Sequence, residues 1–441
     1  MREKGPAINF IGGLQWDDLP QATRRRAKLC LLDGLGVTLA GTLTEVSKIT
    51  ASYAAFGWRG NEAAIFLHGC RASTAGAAFA NAHSANALDL DDDAIFTRGH
   101  PGAQLIPTVL AVGEERCAGG QSLLAAMVCG YEMAIRIGRC WHDHHETYQA
   151  CGSWGSVGCA AAAANLMKLS PHGISSALGI AEYHAPNALM MEDIAHPSMV
   201  KHAIGWGAMT GVTAAGLAAR GYTGVPILME MEKYRAWFKD LGDKYWMDDG
   251  VFYKEWSSCA WGHAAGVAAL QLVEKHGIKP EEIKKIRVKT FTEAAALFRD
   301  LPSTTEEAQF SIRWPLACLM VDHQLGPEQI LEKRLSDPQV VNLFDKIEIV
   351  LDQEIDQLYR EMKGTDLRMH SAVEITLQDG RCLDSGIVER AADRWDEQSL
   401  KDKFHRLAGY VLPVSTVEKL IEMIIHFEQI DDVNELIGLI S

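Results

Sequence analysis

A chain of 441 residues is long enough for two or three domains with full cores. With 48% hydrophobic and 22% charged residues it reads as globular rather than disordered, and it shows no collagen, coiled-coil or disulfide-scaffold pattern. A formal net charge of −15 excludes a general basic face for nucleic acid, so positive charge for an anionic substrate has to be local.

The first residues, up to Leu19, carry charges but no apolar stretch followed by a small-residue cleavage site, so no secretory signal is expected. The most apolar run, Gly152 to Met167, consists mainly of small residues and is too short to cross a bilayer, so no membrane partner is expected either. The ten cysteines form no CxxC pair and read as small core residues of a reduced, cytoplasmic protein.

Apolar residues recur at helical spacing in Leu19 to Leu39, Ser73 to Leu88, Gly102 to Cys117, Ser122 to Cys140, Gly155 to Leu169, His172 to Ala185 and Ser198 to Arg220. Only Ala64 to Leu67 hints at a strand. Gly155 to Leu169 and Gly205 to Ala219 are so rich in Gly, Ala, Ser and Thr that both helices are expected to be buried on all sides of a large bundle. After Gly250 the pattern changes. Strands are predicted at Ile283 to Phe291, Asp345 to Leu351, His370 to Leu377 and Cys382 to Glu389, the last two joined by a hairpin at Asp379-Gly380. Helices at Ala260 to His276, Ala308 to His323 and Asp337 to Leu343 interleave with them, and the pattern is helical again from Asp396. The expected architecture is therefore mainly α, with a large all-helical domain built from both chain ends (1–249 and 393–441) and a smaller α+β lid domain (250–392).

Four carboxylates, Asp89, Asp91, Asp92 and Asp93, close one apolar helix, and His100-Pro101-Gly102 opens the next. Such a cluster either is a solvated acidic loop or is answered by cations, since mutual repulsion raises some of its pKa values. Lys201 and His202 stand at the start of a helix with no other ionisable residue until Arg220. The macrodipole disfavours cations there, so either an anion compensates or Lys201 reaches out to solvent. Lys254 precedes Ser257-Ser258-Cys259, read as the cap of a helix with His263 in its first turn, where the dipole favours a neutral imidazole. Arg313-Trp314-Pro315 marks another helix start. His100, Lys201, His263 and Arg313 thus share one pattern, a basic side chain beside the beginning of an apolar helix, as expected if several helix starts converge on a cleft for a multiply charged anion. The run His142-Asp143-His144-His145 reads as an exposed polar helix end more readily than as a metal site. No GxGxxG, Walker A, GxSxG or HExxH motif is present.

The block Asn81 to Asp93, followed by Gly99-His100-Pro101-Gly102 and an apolar helix, resembles the signature of the MmgE/PrpD family. The likeness continues through Asp33-Gly-Leu-Gly, the Lys201 helix, Lys254 to His263 and Ala308-Gln-Phe-Ser311. It implies a cofactor-independent homodimer with no metal, acting on a small di- or tricarboxylate in the cleft between helical domain and lid. Asp89, Asp93, His100, Lys201, Lys254 and His263 are the residues that by motif position would line this site. Cys259 stands near where decarboxylase-like members carry a His and Trp314 where they carry a Tyr, while His145 lies shortly before the place of a further His. These departures point to an epimerase, with iminodisuccinate as the type of substrate. A hydro-lyase of the 2-methylcitrate dehydratase type and a cis-aconitate-type decarboxylase are the alternatives.

Epimerisation removes the proton α to a carboxylate and returns it on the opposite face. The expected carriers are His100, oriented by Asp89 or Asp93, and Lys201 or Lys254 with a lowered pKa, with Arg313 and His263 steadying the enediolate. A metal-dependent hydratase using Asp91, Asp93 and His100, or a non-catalytic scaffold, are the rival classes.

Overall fold

The structure is a computed structural model describing residues 5–361, 369–390 and 395–441. It is mainly helical, with two domains. The first part of the chain forms α1 (Pro6–Gly13), α2 (Gln21–Gly41), α3 (Glu45–Gly57), α4 (Thr74–Asn86), α5 (Gly102–Arg116), α6 (Gly120–His144), α7 (Cys151–Leu166), α8 (Pro171–Tyr183), α9 (Met190–Ala195), α10 (Ile204–Ala219) and α11 (Trp246–Gly250). Short antiparallel pairs join β1 (Ala63–Ile65) to β2 (Cys70–Ala72) and β3 (Asp93–Ala94) to β4 (Val251–Phe252). Side chains set several helix starts: Thr44, Ser73 and Ser170 each accept a hydrogen bond from a backbone N–H in the first turn, at Ser47, Gly76 and Gly173.

Every residue of α7 is buried, as its small side chains predict. A Cβ on Gly158 would lie 2.6 Å from Ala134 Cβ of α6, and one on Gly211 of α10 would lie 2.4 Å from Cys159 Cβ, so these backbones meet more closely than any larger residue permits. The same expectation fails for α10, which turns Trp206, Thr213 and Leu217 outward.

The second part contains α12 (His263–His276), β5 (Ile283–Thr290), α13 (Thr292–Ala295), α14 (Thr305–Gln309), α15 (Arg313–Asp322), α16 (Pro327–Ile330), α17 (Pro338–Phe344), β6 (Ile347–Leu351), α18 (Gln353–Glu361), β7 (His370–Leu377) and β8 (Cys382–Glu389). The sheet order is β6-β5-β7-β8, with β5 and β6 parallel and the other pairs antiparallel. The Asp-Gly hairpin forms as read, with Gly380 at φ +90°. The helix expected over Ala308 to His323 is broken at Phe310–Ile312, and α1, α3 and α18 were not anticipated. Two apolar cores result. One joins α1–α8, α10 and α11 to α19 (Glu397–Ala408) and α20 (Val414–Ile425), and the other lies mainly within 259–377. Val37, Ala40, Leu88, Leu90, Met190 and Ile194 belong to the second core, so the lid packs onto the end of the bundle that carries the acidic loop.

Candidate active site

The acidic loop is buried: Asp89, Asp91, Asp92 and Asp93 are 1%, 1%, 3% and 7% exposed, so it is not a solvated loop. Each carboxylate is placed differently. Asp92 caps α5, accepting from Gly102 N at 2.9 Å and from the Tyr131 hydroxyl at 2.6 Å. A Cβ at position 102 would meet both groups, at 2.4 to 2.6 Å, which is why glycine follows His-Pro. Asp91 accepts from Asn86 Nδ2 at 3.0 Å and faces His100 Nδ1 at 3.1 Å. Asp89, held at φ +49°, lies 3.0 Å from Lys254 Nζ and 3.6 Å from His100 Nε2. The pairing of Asp93 with Phe252 in the β3–β4 ladder delivers Lys254, two residues further on, to the loop. The Lys254 contact is too oblique for a hydrogen bond, so its ammonium and both Asp89 oxygens keep their bonding capacity.

This arrangement sets the charges. Burial works against the Asp89 carboxylate, but Lys254, Lys201, His100 and His202 together hold its pKa well below the usual range. Burial also opposes the charge on His100, yet Asp91 and Asp93 raise its pKa to about 9, so the ring is protonated at neutral pH. For Lys254 burial is outweighed by Asp89 and Asp91, and its pKa is raised. The expected lowering is thus corrected: neighbouring carboxylates, not cations, decide it. Of the two orienting partners expected for His100, Asp89 faces its Nε2 at 3.6 Å and Asp93 acts only through its charge, while Nδ1 is held by Asp91 and by the Asp92 carbonyl at 2.9 Å. His263 is pushed well below its ordinary value by burial, then by Lys254 and Arg390, and its Nε2 contacts the Ser258 carbonyl at 3.2 Å. Cys259 feels Asp89 and Lys254, but burial dominates and pushes its thiol up to about 12.

On the other wall, the helix predicted from Ser198 begins only at Ile204. Lys201, His202 and Ala203 form a tight turn with φ of 38°, 56° and 55°. Three consecutive left-handed non-glycine residues are costly, by about 1–3 kcal/mol each, and persist only where the surroundings impose them. The turn buries Lys201 completely instead of letting it reach solvent. Its ammonium donates to Gln309 Oε1 at 2.6 Å and lies 4.9 Å from the centre of the Phe310 ring. His202 has Nδ1 2.7 Å from Asp193 Oδ2, and its ring stacks on His100 with centroids 5.4 Å apart and planes at 9°. Sequence reasoning missed His202, Asp193 and Gln309 as site residues.

Three expected residues fall elsewhere. Arg313 does begin α15, but its guanidinium donates to the carbonyls of Arg299 and Phe344 and lies over the Phe344 ring within the lid. Trp314 is a core residue of the lid, its indole N–H donating to the Gln329 carbonyl at 2.9 Å. His145 ends α6 against Trp141 and His144. His142 contacts the Thr97 carbonyl, and Asp143 accepts from Tyr234.

Asp89, His100 and His202 are, among the described residues, the one set whose ligand atoms lie within 4.8 Å of one another. It is not the Asp91, Asp93 and His100 set expected of a metal hydratase. A metal cation there would have to compete with the Lys254 ammonium for Asp89 and would face a protonated His100, so the set suits proton transfer and anion binding better.

The chain matches the MmgE/PrpD N-terminal domain over residues 8–244 and the MmgE/PrpD C-terminal domain over residues 256–429. It is 25% identical to the cis-aconitate decarboxylase of Homo sapiens over 98% of this chain and 93% of that protein. It is also 24% identical to a cis-aconitate decarboxylase-like protein of Aspergillus oryzae (98% and 96%) and 23% identical to the cis-aconitate decarboxylase of Aspergillus terreus (98% and 94%). With both domains matched in order along almost its whole length, the chain belongs to the MmgE/PrpD family of enzymes.

Proposed function

We propose that this enzyme transfers a proton at the carbon α to a carboxylate of a di- or tricarboxylate, and that the outcome is epimerisation of a substrate such as iminodisuccinate. One observation carries the anion-binding part: Lys201 is fully buried, and the groups in contact with its ammonium are a neutral amide and an aromatic face, while the Asp89 and Asp193 carboxylates act on it only through their charge from beyond contact. A buried charge left in this way is costly until an anion joins it. Proton removal falls to His263, which its surroundings keep neutral, and return on the opposite face to His100, which Asp91 keeps protonated. The C–H electron pair passes into the carboxylate as an enediolate, which Lys254 and Lys201 stabilise. Asp89 holds Lys254 and His100 in place, and Asp93 favours their charged forms.

The thiol of Cys259, which burial keeps protonated and which stands near where decarboxylase-like members carry a His, favours epimerisation over decarboxylation. The second reading, loss of carbon dioxide from a cis-aconitate-like substrate, draws support from the named relatives and from the protonated pair His100 and Lys254. Such a reaction needs a proton donor to the carbanion but no base. Proton NMR in deuterated water separates the two. Iminodisuccinate is expected to exchange its α-hydrogen and interconvert stereoisomers without forming an alkene, at a rate unchanged by exhaustive chelation. Carbon dioxide release from cis-aconitate, with no exchange on iminodisuccinate, would reverse the order of the readings.

A homodimer in a reducing cytoplasm belongs to the same proposal. Ile49, Tyr53 and Phe56 are 53%, 55% and 70% exposed on one face of α3, near Trp206, which contacts Trp58 at 6.0 Å. A patch of this kind marks a protein contact. Sedimentation velocity should show a dimer for the unaltered chain and a monomer for Phe56→Asp; a monomer at all concentrations in both would remove this part.

A further inference from the structure

Gln309, the last residue of α14, is fully buried and touches both walls of the site. Its Oε1 accepts from Lys201 Nζ at 2.6 Å, and its Nε2 donates to the Ala87 carbonyl at 2.9 Å and to Thr305 Oγ1 at 3.0 Å. Its own carbonyl accepts from Cys259 N at 2.9 Å. Ala87 lies two residues before Asp89, and Cys259 five residues after Lys254. The lid glutamine is therefore bonded to the segments that carry both lysines and the acidic loop.

Donor and acceptor logic fixes the amide. An ammonium only donates and a main-chain carbonyl only accepts, so the side chain between them must offer an acceptor to one and a donor to the other. A primary amide does so without charge. A carboxylate would turn an oxygen toward the Ala87 carbonyl and, more importantly, would cancel Lys201. The nearby lid acid, Glu306, is itself pushed upward by burial, toward its neutral form, and Asp89 and Asp193 lie against Lys254 and His202 and reach Lys201 only through their charge.

We propose that Gln309 sets the charge specificity of the site: it holds the Lys201 ammonium in position while leaving its charge uncancelled, reserved for a substrate carboxylate bound where lid and helical domain meet. This rests on the reading that the site takes a polycarboxylate, and it adds which lid residue keeps the anion subsite open.

The test compares Gln309→Glu with Gln309→Met. Glutamate preserves shape but neutralises Lys201; methionine fills the space and leaves the ammonium charged. With citrate as a carboxylate probe in isothermal titration calorimetry at fixed ionic strength, the unaltered enzyme and Gln309→Met are expected to bind within about fivefold of each other. Gln309→Glu should bind about ten- to a hundredfold more weakly, the usual range for losing a charge-assisted contact, and should raise KM more than it lowers kcat. Circular dichroism melting should show both variants folded. Equal citrate affinity in the unaltered enzyme and Gln309→Glu overturns the proposal, as does equal loss in both variants, which would make Gln309 a structural bridge, or no citrate binding by any of the three. If iminodisuccinate is not turned over while citrate still discriminates the variants as expected, the reaction is misassigned and the role of Gln309 stands.

Discussion

Lys254→Met should lower the unfolding free energy by about 3–5 kcal/mol, because it strands the Asp89 carboxylate in an interior where only 1% of the residue is exposed. Proton exchange on the substrate should fall by about two to three orders of magnitude, the range for losing a group that stabilises charge developing in the transition state. The double variant Lys254→Met/Asp89→Asn separates the two effects. With no charge left to strand, it should recover most of the stability measured by urea unfolding and none of the turnover. Activity returning along with stability would mean that Lys254 serves only to neutralise Asp89.

Asp92→Asn should change the pH dependence of stability in a defined direction. Burial pushes this carboxyl up to about 7, with Asp91 and Asp33 adding to the effect against the hydrogen bonds from Tyr131 and Gly102. A raised acid favours folding while it stays protonated. Below about pH 4 the folded and unfolded states both hold the proton, and the full contribution is present. As pH rises toward 7 only the unfolded chain releases it, so stability drains away and then levels off. Three units at 1.36 kcal/mol each set an upper limit of roughly 4 kcal/mol. Asparagine can still accept from Gly102 N and can donate to the Tyr131 oxygen, but it does not titrate. The variant should therefore match the unaltered protein near pH 4 and exceed it by about 2–4 kcal/mol at pH 8 in urea unfolding followed by circular dichroism. An offset that stays constant with pH would show that Asp92 is ionised in the folded protein throughout.

The helical architecture was legible because long apolar periodicities and the small-residue run of α7 leave few other ways to bury those faces. His100 and the acidic loop were legible because they are adjacent in sequence. Arg313 shows the limit of the rule that singled it out. It sits at a helix start just as Lys201 does, but nothing local tells which way a helix start faces, and carbonyls inside the lid satisfy it. Gln309 and Phe310 carried part of the family likeness but were given no role in the site, because an uncharged pair before a helix looks like ordinary core and the contact of Gln309 with Lys201 spans 108 residues. His202 was noted beside Lys201 but given no part in the site, because its orientation depends on a left-handed turn that no residue type announces. The error over the lysine pKa had the same root: burial was foreseen, but not that buried carboxylates would surround the ammonium.

The return of the chain to the bundle has a consequence for biosynthesis. Lys403 of α19 pairs with Asp33 of α2 at 2.6 Å across 370 residues of sequence and also donates to the Leu90 carbonyl at 3.1 Å. While the polypeptide emerges from the ribosome, Asp33 has no countercharge and Leu90 no anchor until everything in between has been translated. Assembly of the catalytic centre is then a post-translational event, and a nascent chain stalled before α19 should be a client for chaperones rather than a working enzyme.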